Sequence, residues 1–379
     1  MKDSHRRSQN LFLNTCTFSW VFLCCLFLVS CDWSKPPVKI GMAVNLSGTG
    51  GASGEHIRNG ALLAIKEINL SGGVKGRPIE LIVRDDQGTK EGAVRADRDL
   101  IAAGVPVIVG HNLSSTTLAA YPVVTSKDIL LLTACSATAR LTGKKDLFFR
   151  TCVDCNVYGK KTALLLQEKK ARSVAFLMDM ANPGFVTDYA LATEKHFNGH
   201  ISKVKFKSGS VIDWDHITHQ LLLDNPDAIL LLTEATMAGV VLQKLAAYGY
   251  KGLRIATIWA QTPELIKYAS KAGQGLSIVT YISPQIGTKE YARFQEEMKR
   301  AFHEEANARS AGSYELMMVL AQAMEMASDF TGPEIAKALL KEHYRGLMGE
   351  VAFDQYGDVI RPVFEVTIHN GKFVLKGKI

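Results

Sequence analysis

Several loops carry side chains able to hold a small ligand, and each follows a run of β-branched residues. Gly48-Thr-Gly-Gly-Ala-Ser-Gly54 comes after Val38–Val44 and before a helical stretch. A glycine-rich turn that opens a helix offers backbone N–H groups to an anion or a carboxylate, and Ser53 adds a hydroxyl there. The spacing is not a dinucleotide fingerprint. Counted from Gly48, Ser53 stands where the last glycine of G-x-G-x-x-G belongs, and Asp85 and Asp86 fall too far along to hold a ribose. Leu113-Ser114-Ser115-Thr116-Thr117 follows Val105–Gly110 and brings hydroxyls and amides to another helix start. Thr133-Ala-Cys135-Ser136-Ala-Thr138 repeats the arrangement after Ile129–Thr133. Loops beyond neighbouring parallel strands open onto one crevice, which predicts a carboxylate-binding site. A plain turn and a simple N-cap are the competing readings. Glu234 closes the run Ala228–Thr233 and Trp259 closes Arg254–Ile258. A carboxylate and an indole there suit a cationic group; a helix-capping acid and a core aromatic are the plainer readings.

Other polar clusters carry little chemistry. Cys152-Val-Asp-Cys155 could close a small disulfide in an oxidising compartment, and a redox pair is the sharper reading. His196 and His200, then His216 and His219 beside Asp213 and Asp215, match neither H-E-x-x-H nor a cysteine-supported zinc site. They read as solvated helix faces, as do Glu296-Glu297 and Glu304-Glu305. No G-x-S-x-G elbow, Walker loop or recognisable Ser/His/Asp order is present. The expectation is a binding protein with no cofactor or metal, not an enzyme.

The elements that must position these loops alternate. Val38–Val44, Ile79–Arg84, Val105–Gly110, Ile129–Thr133, Ser173–Met178, Ala228–Thr233, Ile255–Ile258 and Ser277–Ile282 read as strands. Most are continuously apolar, as parallel strands covered on both faces should be. Glu55–Asn69, Gly92–Ala103, Val157–Lys170, Thr236–Tyr248 and Ser313–Ser328 read as amphipathic helices. The pattern is α/β, and it holds too many strands for one open sheet, so two doubly wound lobes fit best. Strands return at Gly349–Phe353, Pro362–His369 and Lys372–Leu375, the last two around an Asn370-Gly371 hairpin turn.

The chain has 379 residues, 47% hydrophobic and 21% charged, which excludes disorder and a disulfide mini-scaffold and suggests two ordinary domains. The net charge of +7 forms no dense basic stripe, so nucleic acid is not an expected partner. Lys2, Arg6 and Arg7 precede the apolar run Phe18–Val29, which is short for a membrane span and suits a signal segment; an uncleaved anchor is the other reading. Leu28-Val29-Ser30-Cys31 resembles a bacterial lipobox, with Cys31 as the lipidated first residue.

From about Val38 to Val374 the chain resembles the type I periplasmic solute-binding proteins of branched-chain amino acid ABC transporters. The landmarks are Leu46-Ser-Gly48, Gly54, Gly60-Ala61, Ile68-Asn69, Gly72-Gly73-Val-Lys-Gly76-Arg77, Asp85-Asp86, Gly110, Ser114-Ser115, Thr117, Leu141-Thr142, Ser313-Tyr314-Glu315, Ala321, Phe353-Asp354 and Gly357-Asp358, in that order. The resemblance implies two Rossmann-like lobes joined by a three-segment hinge, with crossings near residues 152, 283 and 349. Residues 1–30 would be the signal peptide and 31–37 the tether. Residues 38–152 with 284–348 would form the N-terminal lobe, and 153–283 with 349–379 the C-terminal lobe. It also implies a ligand trapped by lobe closure. The family's carboxylate-binding serine matches Ser114, and its next loop matches Cys135, Ser136 and Ala137, where the usual threonine is missing. The tyrosine before the second lobe's glycine falls at Pro183, and the acid that pairs the amino group falls at Trp259, while Glu234 stands at a position usually aromatic. The implied protein is an exported, lipid-anchored and monomeric carrier of an amino acid or related small carboxylate, delivering to an inner-membrane ABC permease. A sensor of the same fold, read by a membrane receptor, is the alternative.

Overall fold

A computed structural model describes residues 35–379 except Thr49 and Gln285. The signal segment and Cys31 lie outside the described residues.

The first sheet holds β1 (Val38–Val44), β2 (Ile79–Asp85), β3 (Val107–Gly110), β4 (Leu130–Thr133) and β5 (Phe148–Arg150). All neighbours pair in parallel, in the order β2-β1-β3-β4-β5. The second sheet holds β6 (Ser173–Asp179), β7 (His200–Phe206), β8 (Ala228–Leu232), β9 (Leu253–Thr257) and β10 (Ser277–Thr280). Its parallel strands run β10-β9-β8-β6-β7, which is the first sheet's order repeated. Beyond β10 the sheet gains two antiparallel strands, β13 (Phe364–His369) and β14 (Lys372–Lys378). Between them, Asn370 at φ 48° and Gly371 at φ 69° make the tight turn that Asn-Gly favours. The small pair β11 (Tyr344–Gly346) and β12 (Gly349–Val351) stands apart.

Both faces of each main sheet are covered, which is why the strands read as continuous apolar runs. In β1, Ile40, Met42 and Val44 face one core and Ala43 the opposite one. Helix α1 (Gly51–Leu70) lies against the first of these cores, and α2 (Lys90–Ala102) and α3 (Ser114–Thr125) follow β2 and β3. In the second sheet α4 (Cys155–Glu168) precedes β6, and α5 (Pro183–His196), α6 (Trp214–Leu222), α7 (Ala235–Ala247) and α8 (Pro263–Ala269) follow β6 to β9. The chain then returns to the first lobe through α9 (Lys289–Phe302), α10 (Ala308–Met326) and α11 (Gly332–Leu339), with α10 packed on α1.

The chain passes between the sheets three times: after β5 over 151–154, after β10 over 281–288, and finally over 352–363. In the last segment Arg150 N still donates to Gly357 O, so residues up to about 358 stay beside β5 before the chain leaves for β13.

Several local expectations change. Strands β5 and β7 escape the sequence pattern because β5 has three residues and β7 is a half-exposed edge strand carrying Lys203 and Lys205. His196 ends α5 whereas His200 starts β7, so they share no helix face. Glu304 follows the end of α9, and its carboxylate is largely covered rather than part of a solvated face.

Candidate functional site

The strand order 2-1-3-4-5 leaves a crevice where the chain's direction reverses, beyond the carboxyl ends of β1 and β3 in one lobe and of β6 and β8 in the other. A cleft of ≈ 690 Å³ lies there. The first lobe lines it with Asn45, Gly48 and Gly50–Ser53 after β1, Gln87–Glu91 after β2, and Asn112 and Leu113 after β3. The second lobe lines it with Ala181 after β6, Lys207 and Ser208 after β7, Glu234–Met237 after β8, and Trp259, Thr262 and Glu264 after β9.

Acids at strand ends hold these loops in place. Asp85 Oδ1 accepts from Leu46 N and Gln87 N, at 2.9 and 2.8 Å. Asp86 Oδ1 accepts from Gly88 N at 2.8 Å, and its Oδ2 lies 2.7 Å from His111 Nδ1. His111 Nε2 lies 3.2 Å from Asp97 Oδ2, and all three side chains are buried. Burial opposes the charged imidazolium, but the Asp97 and Asp86 carboxylates outweigh it and raise the His111 pKa to about 10. In the second lobe Asp179 plays the same part, accepting from Ala181 N, Ser208 N and the Thr233 hydroxyl. The glycine loop needs its last glycine: a Cβ on Gly54 would sit 1.6 Å from Asn45 O.

Of the residues singled out in sequence, Ser53, Glu234 and Trp259 line the cleft. Ser114 and Ser115 open α3, and Cys135, Ser136 and Ala137 lie in the loop after β4; none of the five is among the cleft's lining residues. Ser114 opens α3, and its hydroxyl caps nothing: Ser114 Oγ is buried without a hydrogen-bond partner, as are Ser136 Oγ, Ser53 Oγ and Asn112 Oδ1. Buried polar atoms are ordinarily satisfied, so a row of unsatisfied ones beside a cleft marks where a polar ligand belongs. Thr133 Oγ1 accepts from Cys135 N and Ser136 N and donates to His111 O, which ties the β4 loop to the β3 loop. Cys135 lines a separate void of ≈ 10 Å³ with His111, Asn112 and Ser313. Ala137 O accepts from Cys155 N at 2.7 Å.

Glu234 is the N-cap of α7, its two oxygens accepting from Thr236 N and Met237 N, each at 2.8 Å. Burial raises its pKa, and these amides pull the other way. The capping reading therefore holds while the same carboxylate faces the cleft. Trp259 is half-buried and stands edge-on to Phe185, 5.8 Å between ring centroids.

Ser115 joins the lobes: its N donates to Asn182 Oδ1 at 3.1 Å and its Oγ accepts from Gly184 N at 2.9 Å. Asp188 of α5 accepts from Thr138 Oγ1 and Ala139 N across the same gap. Cys152 and Cys155 are separate, fully buried thiols. Burial raises the Cys152 thiol to about 12 and Cys155 well above its ordinary value, which is the opposite of an activated thiolate. Among the described residues no cluster of three or more side chains could hold a metal, and no helix is long and apolar enough to cross a membrane.

The family model for periplasmic binding proteins matches residues 37–372. The chain belongs to the periplasmic binding protein family. This bears out the resemblance drawn from the sequence landmarks and the two-lobed α/β fold. The family member named the leucine-, isoleucine-, valine-, threonine- and alanine-binding protein of Pseudomonas aeruginosa is 26% identical over 360 residues, covering 88% of this chain and 89% of that protein. The crystal structure of a leucine-binding protein from Thermotoga maritima superposes with a TM-score of 0.81 at 25% identity, over 90% of this chain and 98% of that one. An isoleucine-bound binding protein from Streptococcus pneumoniae gives 0.82 at 22% identity, over 90% and 100%. These relatives are binding proteins and not enzymes, in line with the chemistry read from the sequence.

Sequence reasoning missed Asn112, Lys207, Thr262 and Glu264. Thr262-Pro-Glu264 carried a usable signal, since Thr before Pro announces a helix start facing the same crevice as Trp259.

Proposed function

We propose that this periplasmic binding protein is an exported, lipid-anchored carrier that captures an amino acid or related small carboxylate by closing its lobes and delivers it to an ABC permease. The observation that carries this reading is the cleft at both switch points, lined by Ser53 and Asn112 with unpartnered buried polar atoms, and the equally unpartnered hydroxyls of Ser114 beside Leu113 and of Ser136 after β4. In this reading the Ser114 hydroxyl, with Ser115, Ser136 and the backbone of Cys135 and Ala137, holds the carboxylate near the α3 N-terminus. Glu234 and Trp259 meet the other end of the ligand, where a carboxylate and an indole face suit an ammonium group. The named ligands of the Pseudomonas aeruginosa relative support an aliphatic amino acid as the first candidate. Cys31 is the lipid attachment point, and the chain acts as a monomer hinged at its three crossings.

The test is thermal unfolding of residues 32–379 against leucine, isoleucine, valine, threonine and alanine, each paired with its des-amino acid, with aromatic acids added. A ligand at about a hundred times its dissociation constant stabilises by about 2.7 kcal/mol, which is visible as a raised midpoint. A rise with the amino acids alone supports the ammonium role of Glu234. No rise with any member of the panel would overturn the carrier reading.

A further inference from the structure

His56 on α1 belongs to the first lobe and Glu264 on α8 to the second, and they meet at the cleft wall. His56 Nε2 lies 3.5 Å from Glu264 Oε1, a charge contact rather than a formed hydrogen bond. On its other side His56 Nδ1 lies 2.6 Å from Glu304 Oε1, within its own lobe. Asn59 Nδ2 donates to Glu304 Oε2 at 2.9 Å, and Asn307 Nδ2 reaches Glu304 Oε1 at 3.4 Å, so Glu304 is fixed independently of the second lobe. The His56 side chain is 11% exposed, and Glu264 lines the cleft.

We infer that His56 and Glu264 form a latch across the cleft, an ion pair that holds the lobes closed while His56 is protonated and releases them when it is not. The inference rests on the reading that the lobes open and close. The charged and titratable groups around the ring are Glu264 from α8 and Glu304 from the loop after α9. On α1 itself Arg58 turns to Asn59 and Glu55. Two carboxylates thus face one imidazole, and only one of them crosses the gap. Burial works against the charged ring, but Glu264 and Glu304 together raise its pKa to about 9. The contact with His56 in turn lowers Glu264 to about 2.

Opening rehydrates the ring, which favours its charged form, but it also withdraws Glu264 and leaves only Glu304. The latch requires the loss of Glu264 to outweigh the rehydration, so that the open form holds the His56 proton less tightly. The sign follows: the closed form binds the proton better, so closure is favoured below the closed-form value and is lost as pH rises through about 9. At neutral pH the latch is set. Ligand retention then depends on a proton held outside the ligand's own contacts, which is a linkage between two sites.

Small-angle scattering of ligand-free residues 32–379 at about pH 7 and about pH 9.5 tests this without an identified ligand. The parent is expected to have a larger radius of gyration at the higher pH. Glu264→Gln should be the more expanded at neutral pH and insensitive to the change, and His56→Arg, with a fixed charge, should stay compact at both. Expansion of the parent matched by an equal pH-dependent expansion of Glu264→Gln would overturn the latch alone. A chain equally compact in every variant and at both pH values would overturn the latch and lobe opening together.

Discussion

Arg361 Nη1 lies 2.7 Å from Glu315 Oε1, and this buried pair touches every segment that joins the lobes. Arg361 belongs to the third crossing, its Nη1 also donates to Thr151 O in the first, and its guanidinium lies over the Tyr281 ring of the second, 5.0 Å from the centroid. Glu315 comes from α10 and accepts from Met348 N through its other oxygen, so the joining segments are fastened to the first lobe's core. Losing one partner of a buried ion pair leaves an uncompensated charge, at a cost of roughly 3–5 kcal/mol. Arg361→Met should destabilise the chain by that amount in urea unfolding. Arg361→Met with Glu315→Leu should cost less than the two single changes added together.

Ser114 Oγ is buried with no partner, so its loss should be felt only when ligand is present. A hydrogen bond to a charged group contributes roughly 1.5–3 kcal/mol. Ser114→Ala is therefore expected to weaken leucine binding about tenfold or more in calorimetry while leaving the unfolding midpoint of the ligand-free chain nearly unchanged. An unchanged affinity would remove Ser114 from the carboxylate site.

A Cβ on Gly184 would meet Ser115 N at 2.9 Å and the Ser114 carbonyl carbon at 3.0 Å, both backbone atoms of the opposite lobe. Gly184→Ala should thus act as a wedge. The expected outcome is a folded chain with a larger radius of gyration and a faster ligand off-rate, read by scattering and by stopped-flow fluorescence.

His111 is held between Asp86 and Asp97 with its pKa raised to about 10 from the ordinary 6.5. A raised folded-state pKa means the stabilisation is complete below about 6.5 and drains away as pH climbs towards 10. Urea midpoints should fall over that window, and His111→Gln should be less stable at neutral pH with a flatter profile. Equal slopes in the two chains would show that His111 gains no proton affinity on folding.

Cys152 and Cys155 should resist alkylation by iodoacetamide at about pH 8 in the folded chain and react once it is unfolded, since burial keeps both thiols protonated. Mass spectrometry of the native and denatured chain reads the difference. Rapid labelling of Cys152 in the native chain would contradict the buried setting.

Much of the fold was legible in the sequence because parallel strands covered on both faces leave continuous apolar runs, as in Val38–Val44 and Ala228–Leu232. Edge strand His200–Phe206 was not, because solvent on its rim lets Lys203 and Lys205 interrupt the run. The cleft was legible where a loop follows such a run directly, as at Ser53, Glu234 and Trp259. Glu304 misled, since a charged pair beyond a polar helix resembles a solvated face until His56, some 250 positions earlier, is folded against it. The pairing of His56 with Glu264 has no local signature at all, because it depends on the approach of two separately wound sheets.

The return of α9, α10 and α11 to the first lobe has a consequence for how the molecule can be made. The core over β1 and α1 is closed by Met317 and Leu320 of α10, which emerge from the ribosome only after every strand up to β10. Likewise β13 and β14 finish the second sheet at the very end of the chain. The first half is therefore completed only after the second has laid down its parallel strands, and the second only with the last two strands of the chain. A polypeptide whose two halves are interleaved in this way leaves its second sheet open at one edge until synthesis ends.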